Sequence, residues 1–97
     1  MIIVEDITNA YNVCVANDYG KAIKLAREYV AKMFSDYDKA SYQVKAKYHK
    51  DIRKHDLIGI SISDVDYNKI DQCRTNYFHG HITRKGIIRN RNKKESG

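Results

Sequence analysis

Between Asp18 and Phe34, the residues Ala22, Ile23, Ala26, Tyr29, Val30, Met33 and Phe34 recur at spacings of three and four. Lys21, Lys24, Arg27, Glu28 and Lys32 fill much of the opposite side. Only a helical backbone gathers residues so spaced onto one face, so the segment predicts an amphipathic α-helix over about 18–34, roughly 25 Å long. Asp18 stands where a side-chain oxygen can accept from an unpaired N–H of the first turn. A helix with one apolar stripe draws most of its stability from the surface that covers the stripe. That surface has to come from the same 97 residues, a length that holds one domain.

The covering surface is expected to be a sheet. From Tyr42 to His49, Tyr42, Val44, Ala46 and Tyr48 alternate with Gln43, Lys45, Lys47 and His49, the period of a half-buried strand. Leu57 to Ser63 also alternates, with Ile58, Ile60 and Ile62 on one side, and Lys50 to Asp56 would join the two strands as a hairpin. Near the start, Val13 and Val15 alternate with polar and small neighbours, and Ile2 to Ile7 can pair with them across Thr8 to Ala10. Asp66, Ile70, Cys73 and Tyr77 have helical spacing, which predicts a short second helix over about 66–76, and Tyr77 to Thr83 reads as a last strand. The expected fold is α+β: one long helix packed on a small antiparallel sheet of three or four strands. Gly86 marks the boundary region of a basic C-terminal arm, and the chain divides into a domain over 1–83 and an arm over 84–97.

The arm carries most of the charge. Arg84, Lys85, Arg89, Arg91, Lys93 and Lys94 face the single acid Glu95, which supplies +5 of the formal net charge of +6. Cations at this density neutralise phosphates or settle on an acidic protein surface, so these six residues are the expected binding site. If all six sat on phosphates of a duplex, a fourfold rise in salt would weaken binding by roughly 10³. A solubilising tail on a protein-interaction module is the plain alternative. Tyr29, Tyr42 and Tyr48 are expected in the core, whereas Tyr37, Tyr67 and Tyr77 are freer to stack on unpaired bases.

Other chemistries find less support. Cys14 and Cys73 are the only cysteines and form no C-x-x-C pair, so a reduced, cytoplasmic protein is expected. No run approaches the roughly 20 apolar residues of a membrane span. His79 and His81 would share a strand face, with His49 and Cys73 elsewhere, but nothing in the spacing assembles a metal site. His81-Ile82-Thr83 is half of a paired H-x-T phosphoesterase signature, and the second half is missing. Asp64-Val65-Asp66-Tyr67-Asn68 opens like a calcium loop, yet Lys69 and Thr75 stand where glycine and the bidentate glutamate belong. No cofactor is expected.

Lys54-His55-Asp56-Leu57-Ile58 and Ile70-Asp71-Gln72-Cys73-Arg74-Thr75-Asn76-Tyr77 loosely resemble the ends of the RelE/YoeB-type ribonuclease toxins. The resemblance covers about a quarter of the chain and implies that Arg74 and Tyr77 would assist cleavage of messenger RNA. Asn76 stands where that family has a histidine, and twenty residues follow Tyr77. Twelve Ile, twelve Lys and eight Tyr beside no Pro and no Trp match A/T-rich codon usage, which suggests a phage or mobile-element gene. The expectation is a non-enzymatic binding protein engaging nucleic acid or a host nucleic-acid-handling complex, for instance as an inhibitor of a CRISPR or other defence nuclease. An open edge strand would also allow a homodimer.

Overall fold

Among the described residues five strands, β1 (Ile2–Asp6), β2 (Tyr11–Ala16), β3 (Leu57–Val65), β4 (Arg74–Thr83) and β5 (Ile87–Arg89), make one sheet in the order β2-β1-β3-β4-β5. Every neighbouring pair is antiparallel. The structure, a computed structural model, describes residues 1–65 and 74–89. The 21-residue helix α1 (Tyr19–Lys39) lies across one face of the sheet and buries Ala22, Ala26, Val30 and Phe34. These meet Ile2 and Val4 of β1, Ile58, Ile60 and Ile62 of β3, and Phe78 and Ile82 of β4, the inward positions of strands whose side chains alternate. The α+β class and the long helix on an antiparallel sheet therefore stand, with β5 adding a strand beyond β4.

The helix starts where the sequence puts its cap: Asp18 is extended, and its carboxylate accepts from the Lys21 N–H at 2.8 Å. It runs past Phe34 because Tyr37 continues the stripe and packs edge-on against Tyr48, with ring centroids 5.1 Å apart. Lys32 and Asp36, one turn apart, pair at 2.9 Å on the exposed side of that extension.

The predicted strand over Tyr42–His49, and with it the hairpin across Lys50–Asp56, is not formed. Ser41 instead caps a single helical turn, α2 (Tyr42–Lys45), its hydroxyl accepting from the Val44 N–H. Both edges of β3 are taken, one by β1 and one by β4, so no position beside it is left for a strand from 42–49. Tyr42 is accordingly 86% exposed rather than in the core, and of the alternating quartet Tyr48 is the one that packs, half-buried on Tyr37. A π-helical turn at Asp51–His55 then sinks Ile52 into the core and ends at Asp56 in the left-handed region (φ 54°). An acid tolerates that conformation better than most residues.

The predicted second helix over about 66–76 is corrected at its end: Arg74, Thr75 and Asn76 belong to β4. The remainder, 66–73, lies outside the described residues. Tyr77–Thr83 is strand as expected, with a bulge opposite Ile62/Ser63 that inserts Tyr77 as an extra residue. At the other end of the sheet order, the chain turns at 84–86 and Ile87–Arg89 pairs with Gly80–Ile82, so ordered sheet continues past Thr83.

Candidate functional site

An acid lies on the inward side of β1. Ile2, Val4 and Asp6 alternate onto that face, and Asp6 is 1% exposed. A buried carboxylate is costly unless it is fully hydrogen-bonded. Asp6 meets that condition within one turn of chain and one helix: Oδ1 accepts from the Asn9 N–H at 2.9 Å, and Oδ2 accepts from Asn9 Nδ2 at 2.7 Å and from the Tyr29 hydroxyl. Burial, and next the bond to Asp6, push the Tyr29 phenol well above its ordinary range, so it stays a donor. Tyr11, opposite Asp6 in the β1–β2 register, lies stacked on Tyr29 with planes 11° apart and centroids at 5.9 Å.

Both rings line a groove of about 630 Å³ between β2, α1 and the segment from Val44 to His49. Val13, Met33, Val44 and Tyr48 give it apolar lining. Val13 reaches it through the bulge opposite Val4/Glu5. Lys32, Lys47 and His49 line it, together with the acid Asp36. Tyr11 is 56% exposed, so its ring is available to a ligand. Planar aromatic surface flanked by ammonium groups suits a flat, anionic guest, and the volume falls within the usual range for ligand sites.

Beside the groove runs a second cationic stretch. Lys45, Lys47, Lys50, Arg53 and Lys54 are set against Asp51 alone over 45–54, and four of the five are exposed. Lys45 is half-buried, its ammonium 5.4 Å from the Tyr37 ring centre.

The six cations predicted as the binding site part company. The guanidinium of Arg84 makes a two-pronged bond to Asp38 (2.7 and 2.6 Å), a third to Asp56 (3.1 Å), and lies 4.5 Å over the Phe34 ring. It ties the β4–β5 turn to the end of α1 and to the turn before β3. Lys85 is exposed in that turn, and Arg89 is on β5. Arg91, Lys93 and Lys94 lie outside the described residues. The paired hydrogen bonds from Arg84 hold the Asp38 carboxyl below its ordinary value, and the same bonds push the Arg84 guanidinium up. A carboxyl with a depressed folded value stabilises the fold above the unfolded value, and that contribution is lost as pH falls through the folded one. Thermal unfolding from about pH 5 down to about pH 2 should therefore show a steeper loss for the natural chain than for Asp38→Asn; equal slopes would remove this pair from the acid response.

Tyr77 is partly exposed but edge-packed on Tyr19 at 5.9 Å, Tyr37 is held between Tyr48 and Lys45, and Tyr67 is outside the described residues. Arg74 donates to Glu5 at 3.2 Å, whereas the Tyr77 hydroxyl reaches Asp64 at 3.4 Å, so the two residues implied by the toxin resemblance have separate partners. Among the described residues no three His, Cys, Asp or Glu converge on a point that could hold a metal ion. Nor, among them, is any helix long and apolar enough to cross a membrane. Burial pushes the Cys14 thiol up, away from reactive thiolate.

No family model, curated protein or solved structure matches this chain. The site is thus read from its own geometry. The Asp6–Tyr29–Tyr11 assembly did carry a sequence signal, an acid at the third inward position of an otherwise apolar strand. The groove did not, because Val44, Lys47, Tyr48 and His49 in its lining belong to a segment whose alternation reads as strand.

Proposed function

We propose that this protein binds single-stranded nucleic acid without chemical turnover, holding an unpaired base in the groove beside Tyr11 and the flanking phosphates on the adjacent cations. The reading rests on one observation: an exposed tyrosine, braced from behind by Tyr29 and Asp6, shares a 630 Å³ groove with Lys32, Lys47 and His49. Stacking on an aromatic ring needs an unpaired base, since a duplex keeps both faces of its bases occupied. The lysines supply the salt-dependent, sequence-independent part of the affinity, and the braced ring the salt-independent part.

Fluorescence anisotropy with a labelled oligonucleotide of mixed sequence tests this. The single strand should bind more tightly than the same sequence as a duplex. With two or three lysines on phosphates, a fourfold rise in salt should weaken binding roughly tenfold, from a slope near −0.7 per contact. A slope several times steeper, abolished by Arg91→Gln, Lys93→Gln and Lys94→Gln together, would move the site to the basic arm. Equal affinity for duplex and single strand, or none for either, would sink the groove reading, the latter in favour of a protein partner.

A further inference from the structure

His49 lines two concavities. On one side of it lies the tyrosine groove; on the other is a smaller pocket of about 270 Å³, walled by Thr8, His49, Asp51, Gly59, His79 and His81. His79 and His81 alternate on β4 and so share a strand face, and β3 places Ser61 and Gly59 opposite them. Three of the chain's four histidines line this pocket, drawn from two separate segments.

Local bonding sets two of the pocket's donors, at His49 and Thr8. The Nδ1 of His49 accepts from the Asp51 N–H at 3.1 Å, which places the proton of the neutral ring on Nε2. Thr8 Oγ1 accepts from the Gly59 N–H at 2.8 Å, leaving its hydroxyl hydrogen to be given elsewhere. A Cβ at Gly59 would stand 3.2 Å from Thr8 Oγ1, close enough to push that hydroxyl back by a few tenths of an ångström. The pocket's acid, Asp51, keeps Oδ2 3.9 Å from Nδ1 of His49, the ring nitrogen away from Nε2.

We propose that this pocket is a phosphoryl-oxyanion site, taking a phosphate group through the imidazole N–H groups of His49 and His81 and the Thr8 hydroxyl, with His79 on the same wall. Phosphoryl oxygens accept several hydrogen bonds at once, and bonds to an ionised acceptor are the stronger kind. Because the pocket shares His49 with the groove, a strand whose base stacks on Tyr11 has a phosphate within reach of it. That last step rests on the nucleic-acid reading; the phosphate site itself does not.

The intact chain titrated with inorganic phosphate, followed by the imidazole nitrogen and carbon-bound proton resonances, tests the site. The resonances of His49 and His81 should move together and saturate at about millimolar phosphate. His55, outside the pocket on the π-helical turn, is the internal reference and should stay still. Equal movement of all four rings, or of none, overturns the proposal. A second arm compares oligonucleotides bearing a 5′-phosphate, a 3′-phosphate or neither. A roughly tenfold preference for one phosphorylated end, lost in His49→Gln and His81→Gln variants with unchanged circular dichroism, assigns the pocket to a strand end. No preference, with both variants weakening all three strands alike, assigns it to an internal phosphodiester. Variants that leave every affinity unchanged overturn the site's place on the strand, and phosphate shifts without oligonucleotide binding overturn the nucleic-acid reading while the site stands.

Discussion

Asp6→Ala is expected to lower the stability of this protein by about 2–4 kcal/mol, on the order of 10–25 °C in Tm for a domain of this size. The carboxylate is 1% exposed and accepts three hydrogen bonds. Removing it leaves the Asn9 amides and the Tyr29 hydroxyl without an acceptor, beside a small void among packed side chains. The loss is partly offset, because the variant no longer has to keep a charge away from water. Total stability of small domains is about 5–15 kcal/mol, so the change consumes a large share of it. Tyr29→Phe, which takes one donor and leaves the carboxylate with Asn9, should cost less, about 1–2 kcal/mol. Thermal melts of the two variants and of Asp6→Asn check the order; an Asp6→Ala melt within 3 °C of the natural chain, by the roughly 4–8 °C expected per kcal/mol, would show that the cluster is not a structural tie.

Those magnitudes explain which parts of the fold were legible. The helix was readable because its period, its Asp18 cap and its burial agree, and no competing structure satisfies all three. β3 and the Tyr77–Thr83 part of β4 were readable for the same reason, since runs such as Ile58, Ile60 and Ile62 can be buried together only in extended chain. The alternation over Tyr42–His49 carries no long-range term, and Ala40, Val44, Tyr48 and Ile52 are spaced for a helix as well. Strand hydrogen bonds need a vacant neighbour, and β1 had already taken the place beside β3 that the segment would have filled. A Ser41 cap and a Tyr37–Tyr48 contact then decided for helix. The division at residue 84 rested on charge density, and charge density does not see partners: Arg84 is a cation by composition and, through Asp38, Asp56 and Phe34, part of the packing by geometry.

The same distinction between a cation's charge and its contacts separates the two halves of binding affinity at the groove. Tyr11→Ala should reduce affinity for a single strand by about 5- to 150-fold, the equivalent of about 1–3 kcal/mol for one lost base stack, while leaving the slope against salt unchanged. Its structural cost should be small, because the ring is more than half exposed and Tyr29 keeps its bond to Asp6. Lys32→Gln with Lys47→Gln should act the other way, reducing the slope by about 1.4 and weakening binding most at low salt. Lys32 is paired with Asp36, but an exposed pair one helical turn apart holds its ammonium by only about 0.3–0.5 kcal/mol, too little to keep it from a phosphate. In the triple variant the two losses should multiply, since stacking and counterion release act on different groups. A slope that shifts with Tyr11→Ala, or affinity that survives all three changes, would place the strand elsewhere on the molecule.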